Sequence, residues 1–176
     1  MATAINRCVQ GRKPPVRTLQ ETREALEPFL TRLAADRRSE DDLRELQALH
    51  TQLVASVDNF QEFALLNIRW HNAVAKASGN ELLSAVLYSV SHGLQVATTV
   101  EEYDTMETRR QVIHIHAKIN ESIVTRNPDQ PERSMRQHLG AAHSRQLDIG
   151  TDDIPLSDEV PPDKAPPART TQRTAT

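Results

Sequence analysis

Residues 63–83 (FALLNIRWHNAVAKASGNELL) constrain the fold more than any other stretch of the chain. Read at helical period, Ala64, Asn67, Ile68, His71, Val74 and Ala75 share one face. That face is apolar except at Asn67 and His71. The two stand four residues apart, so their side chains lie one above the other and can reach a common atom. The segment also carries its own stop signal, Ser78-Gly79-Asn80. Gly79 can adopt the left-handed cap conformation there, and Asn80 can cap the helix that follows. A helix that turns two polar groups toward a core must find partners for them, because unpaired polar groups are costly to bury.

The same 3.6-residue period recurs along the chain. Thr18 and Glu21 have the spacing of a capping box and open a first predicted helix running to about Arg37. Leu19, Leu26, Phe29, Leu30 and Leu33 mark its inward side, and Pro28 inside it costs a hydrogen bond. Ser39 caps a second helix with Glu40, Asp41 and Asp42 in its first turn, where the helix dipole favours acids. Its stripe is Leu43, Leu46, His50, Leu53 and Val57. A third helix is expected from about Asn59 to Ser78. A fourth starts at Asn80 with Leu83, Val86, Leu87, Val90 and Leu94 inward. After a break at Glu101–Asp104, a fifth runs from about Thr105 to Arg126, where Asn127-Pro128 ends it. Asp129 and Glu132 form a second capping pair for a sixth helix, about Gln130 to Asp148. No segment favours period two, and the chain has only five glycines, too few for a turn-rich β fold. The expected fold is an all-α, six-helix antiparallel bundle. At 38% hydrophobic but 3% aromatic residues, its core must be packed with Leu, Ala and Val.

Two flanking segments stand apart from this pattern. Residues 1–17 read as a disordered basic arm or linker remnant, and residues 149–176 as a disordered Pro- and Thr-rich tail, leaving 18–148 as the folded domain. A net charge of -3 gives no bulk attraction to nucleic acid or acidic membranes. No apolar run approaches the roughly 20 residues of a membrane span. The single cysteine, Cys8, cannot form an internal disulfide, so a reduced, cytoplasmic setting is expected.

Three histidines fall on inward stripes of three different helices. His71 lies on the third. His116 lies on the fifth, between Val112 and Ile113 on one side and Ile119 and Ile123 on the other. His138 lies on the sixth, between Met135 and Leu139. His114, two residues from His116, points roughly opposite; His92 and His143 fall off the stripes, and His50 is ambiguous. Each inward histidine could be a separately satisfied core residue. If the three converge, they and Asn67 form a buried polar site. Neutral imidazoles are common ligands of Zn, Ni and similar ions, so such a site could hold one.

Four motifs in order resemble a known family. Glu21-Thr-Arg23-Glu-Ala-Leu26-Glu27-Pro28, followed by Leu33-Ala-Ala35, resembles the opening of the FCD domain, the all-helical effector-binding half of FadR-type GntR transcriptional regulators. Asn67-Ile-Arg-Trp-His71, running on to Ala-Ser-Gly-Asn80, resembles its metal-binding helix. His116-Ala-Lys-Ile119 and Met135-Arg-Gln-His138-Leu139 resemble its second and third histidine motifs. The resemblance spans about Leu19 to Leu147, and six helices are closer to the VanR-type subgroup.

What the resemblance implies is a divalent metal ion, Zn or Ni, held by His71, His116 and His138. Asn67 stands where the family usually has an aspartate. Arg23, at the family's arginine position, is implied as a partner of the carboxylate of a small organic acid effector; the other reading of Arg23 is a surface ion pair. The family also implies a homodimer, or a heterodimer with a full-length relative. It places a winged helix-turn-helix before this domain, whereas only 18 residues precede Leu19. The expectation is therefore a truncated regulator whose chain does not itself bind DNA or membrane, rather than an enzyme. The alternatives are a metal-dependent hydrolase, for which Glu62 and Glu121 are the nearest but exposed-looking bases, or a relic helical bundle without function.

Overall fold

The computed structural model describes residues 11, 15–97 and 105–149, and among these the regular elements are six α-helices. They are α1 (Val16–Arg37), α2 (Glu40–Ala55), α3 (Phe60–Ala77), α4 (Glu81–Ala97), α5 (Met106–Val124) and α6 (Asp129–Ile149). The expected all-α bundle is the fold found. The Glu101–Asp104 break, nearly all of the 1–17 arm, residues 150–176 of the tail and the side chains of His92 and Leu94 lie outside the described residues, while Ile149, expected in the tail, is the last residue of α6.

Cross-helix contacts set the helix directions. Glu27 of α1 meets His71 of α3, and Arg37 Nη1 donates to the Ser78 carbonyl at 3.4 Å, so these two helices run the same way. Arg109 Nη1 of α5 donates to the Val57 carbonyl at 2.5 Å and Trp70 Nε1 of α3 to Asn120 Oδ1 at 3.2 Å, which aligns α5 with α3. Helix α6 runs back along α1: His143 faces Glu24, while Arg32 faces Asp129 and Glu132. Helix α1 packs against α3, α4, α5 and α6 and so forms the spine of the bundle.

Helix ends follow local chemistry in most places. Ser39 and Asp42 form a reciprocal capping box on α2, and Asn59 and Thr105 cap α3 and α5 through their side chains. Gly79 takes φ 64° after α3, the left-handed conformation glycine adopts without strain. Asn80 Oδ1 accepts from the Leu83 amide at 3.1 Å. The Thr18–Glu21 capping box does not form. Helix α1 begins earlier, after Pro15, so Thr18 is already inside the first turn and its amide donates to the Pro15 carbonyl. Glu21 pairs instead with Arg17. Helix α6 likewise begins at Asp129 itself, and Glu132 turns to Arg32 and Arg136.

The main core joins Leu46, Leu49 and Leu53 of α2, Phe63, Leu66, Trp70, Ala73, Val74 and Ala77 of α3, Val112, Ile119 and Ile123 of α5, and Met135 and Leu139 of α6. A smaller cluster of Leu30, Ala75 and Leu87 joins α1, α3 and α4. Two inward faces differ from the sequence reading. On α1, Phe29 is 47% exposed, and the buried row is Leu19, Gln20, Arg23, Glu27, Leu30, Thr31 and Ala34. On α3 the centre of the buried face is Phe63–Leu66–Trp70–Ala73–Ala77, while Ala64, Asn67 and Ile68 are half-buried at its edge. Helix α3 is apolar over most of its circumference, so packing rather than period decides which stripe faces in.

Adjacent residues of α2 test this core assignment. Leu53 is fully buried and Val54 is 47% exposed. Leu53→Ala is expected to cost about 2–5 kcal/mol of unfolding free energy in urea titrations. Val54→Ala is expected to stay within about 0.5 kcal/mol. Equal losses would contradict the core described.

Candidate metal centre

The buried row of α1 brings charge into the bundle interior. Arg23 and Glu27 stand four residues apart and pair through Arg23 Nε, with side chains 7% and 2% exposed. The Arg23 ion pair is thus a buried one, not a surface one. Across the α1–α3 contact the other oxygen of Glu27 accepts from His71 Nδ1 at 2.5 Å. Burial pushes the Glu27 carboxyl up, but the charges and hydrogen bonds of Arg23 and His71 outweigh it and hold the carboxyl at about 2. Burial in turn lowers His71, and the Arg23 charge adds to that against the opposing pull of Glu27. At neutral pH the ring is therefore uncharged, and Arg23 with the Nδ1–H bond keeps Glu27 ionised.

With Nδ1 carrying the proton, the lone pair of His71 sits on Nε2. Helices α5 and α6 direct His116 and His138 at the same point. His138 Nε2 lies 3.4 Å from His71 Nε2 and 3.2 Å from His116 Nε2. The ligand atoms of all three lie within 4.8 Å of one another, and all three residues are buried. An ion bonded to imidazole nitrogens at about 2.0–2.1 Å separates neighbouring ligand atoms by about 2.9–3.4 Å. The two short distances fall in that range, so the residues present fit a metal ion.

Trp70 fixes the second ring. It is fully buried and stacks on His116 with centroids 3.6 Å apart and planes 12° from parallel, while its indole N–H is held by Asn120. Burial, reinforced by the neighbouring His138 and His71, pushes His116 well below its ordinary range. The ring is a neutral ligand at neutral pH, as metal binding requires.

Three further buried atoms bear on the site. Asn67 Oδ1, one turn before His71 on the same face of α3, accepts no hydrogen bond, and neither do His116 Nδ1 and Gln20 Oε1 have a partner. Each such group costs about 1–3 kcal/mol when left unpaired. The sequence-predicted residues therefore divide in two. His71, His116 and His138 converge, with Asn67 beside His71 and Arg23 buried behind it through Glu27. His114 is exposed, His143 pairs with Glu24 at 2.8 Å, and His50 Nε2 donates to the Ile113 carbonyl at 3.0 Å. Glu62 and Glu121 are both exposed. Sequence reasoning missed the roles of Glu27, Trp70 and Asn120. The Arg23–Glu27 spacing was a signal for the first, and nothing in the sequence separates the other two from ordinary core and surface residues.

A sequence profile described as the FCD domain matches residues 18–141. The chain is 23% identical to the "Galactonate operon transcriptional repressor" of Escherichia coli, an alignment covering 76% of this chain and 58% of that protein. It is 28% identical to the "HTH-type transcriptional regulator LutR" of Bacillus subtilis, covering 73% and 60%. The chain spans about half the length of the curated relatives it matches. Among solved structures, "Streptococcus agalactiae GntR" superposes with a TM-score of 0.65 at 23% identity, over 73% of this chain and 58% of that one. That likeness shows the shared all-helical fold.

The lowered histidines predict how the metal-free protein responds to acid. Below about pH 6.5 an unfolded histidine takes up a proton that the folded, buried ring resists, so the unfolded state binds more protons and stability falls. The melting midpoint of chelator-treated protein should therefore drop steadily from pH 7 to pH 5, above the range in which Glu27 titrates. His116→Met should flatten that slope. A midpoint constant or rising over this interval would contradict the buried, neutral rings.

Proposed function

The chain belongs to the FCD domain family, and on that premise we propose that it senses a small organic acid at a divalent metal ion, as the effector-binding part of a GntR-type transcriptional regulator. The observation that carries this reading is the convergence of three buried histidines, with His138 Nε2 at ligand-to-ligand distance from both His71 Nε2 and His116 Nε2. His71, His116 and His138 would hold the ion, and Asn67 would supply its amide oxygen as a weak fourth ligand. Zn or Ni suits such a nitrogen-rich set.

Charge balance points to the effector. Three neutral imidazoles and a neutral amide leave a divalent ion's charge uncompensated in a buried site, whereas an aspartate in place of Asn67 would offset part of it. A carboxylate supplies that negative charge. Glu27 engages Arg23 through Nε, so the two terminal guanidinium nitrogens are the donors left to fork a ligand carboxylate. The ion, when bound, supplies a Lewis-acidic centre for that carboxylate.

A relative named for the galactonate operon is in keeping with an acid as effector, and relatives named as transcriptional regulators with regulation as the output. Exposed apolar side chains on α1 and α4 (Phe29 at 47%, Leu82 at 54% and Tyr88 at 58%) offer a surface on which a second subunit, identical or a full-length relative, would pack. Effector binding would then shift the population of bundle conformations presented to that partner, in the reducing setting of the cytoplasm. Hydrolysis is the weaker reading, because Glu27 is committed to Arg23 and His71 while Glu62 and Glu121 face solvent.

Metal addition gives the direct test. A ligand at 100 times its dissociation constant that binds only the folded state adds about 2.7 kcal/mol. For this chain that raises the melting midpoint by roughly 5–10 °C. Zn or Ni should produce such a shift in chelator-treated protein. His116→Ala should abolish it, exposed His114→Ala should preserve it, and Asn67→Asp should enlarge it. If the two histidine variants behave alike, or Asn67→Asp weakens the shift, this ligand set is wrong.

A further inference from the structure

We infer that Gln20 is a specificity-determining residue of the same site, accepting a hydrogen bond from a hydroxyl that the effector carries beyond its carboxylate. The preferred ligand is thus a hydroxylated acid rather than a plain aliphatic one. The inference rests on the acid-sensing reading above.

Gln20 is 3% exposed, and its Oε1 is buried without a hydrogen-bond donor. It belongs to the inward row of α1, three residues before Arg23 and seven before Glu27, so the three side chains share one face. Register across the bundle orders the polar groups. Helices α1 and α3 run parallel with Glu27 level with His71. Arg23 and Asn67 each lie one turn earlier on their helices, and Gln20 lies one turn earlier again. The sequence from the imidazole cluster outward is therefore His71 with Glu27, Asn67 with Arg23, then Gln20. The rise from Arg23 to Gln20 is about 4.5 Å along the axis. A carboxylate forked on Arg23 has to extend its carbon chain by that rise to reach Gln20.

The chemistry of the group at that end follows from what Gln20 lacks. Its amide oxygen needs a donor, which an alkyl chain cannot give. An ammonium could donate, but the Arg23 guanidinium one turn away on the same face repels a second cation. A neutral hydroxyl satisfies both conditions. A site built around an acceptor for a ligand hydroxyl rejects the analogue without it, because the buried oxygen then stays unpaired.

The test uses the full chain loaded with zinc and two six-carbon acids, gluconate and hexanoate, titrated by calorimetry. The chain should bind gluconate at least tenfold more tightly than hexanoate. Gln20→Met, close in shape but without the acceptor, should weaken gluconate about tenfold and leave hexanoate within about twofold. The zinc-induced melting shift of the variant, equal to that of the unaltered chain, confirms that fold and metal site are intact. Equal weakening of both acids, or of neither, overturns the role of Gln20 while the acid-sensing reading stands. Failure of the unaltered chain to bind either acid overturns both.

Discussion

The Glu27 carboxylate makes the centre of this bundle workable. An arginine charge and three imidazoles brought into an aliphatic interior lose their hydration, and the buried Glu27 carboxylate offsets the cost of the charge from one helix. One oxygen takes Arg23 Nε, and the other, at 2.5 Å, takes His71 Nδ1. The second bond has a directional consequence. With the His71 proton fixed on Nδ1, its Nε2 lone pair faces His138 and His116, as expected of a carboxylate behind a metal-binding histidine. Removing Glu27 would leave Arg23 as an uncompensated buried charge, the costly way to break such a pair.

The scaffold serves that arrangement with few resources. Helix α1 touches four other helices, so the residue behind His71 belongs to the spine of the fold. Trp70 does for His116 what Glu27 does for His71, by stacking rather than by hydrogen bonding, and leaves His116 Nδ1 without a partner. The two supports differ in kind. A hydrogen-bonded carboxylate raises the basicity of its histidine, whereas an indole face fixes only ring orientation. His71 is therefore the stronger of these two nitrogen donors.

Much of this was legible in the sequence, for identifiable reasons. His116 and His138 lie among Val112, Ile119, Met135 and Leu139 at helical spacing, on helices polar elsewhere, so their burial could be read directly. Ser39, Asn59, Asn80 and Thr105 announced helix starts because each cap depends only on its neighbours. The face of α1 was not legible. An Arg–Glu pair four apart looks the same whether it lies on the surface or in the core, and only contact with α3 distinguishes the two. Helix α3 failed for the opposite reason, since apolar residues on most of its circumference hid Trp70 among equivalent candidates. The Thr18–Glu21 box misled because Pro15 lets α1 begin before Thr18.

X-ray absorption at the zinc edge of the loaded full chain tests the central claim most directly. Three imidazole nitrogens at about 2.0–2.1 Å, completed by oxygen, are the predicted first shell. A shell with sulfur at about 2.3 Å, or with fewer than three imidazoles, would contradict the centre described.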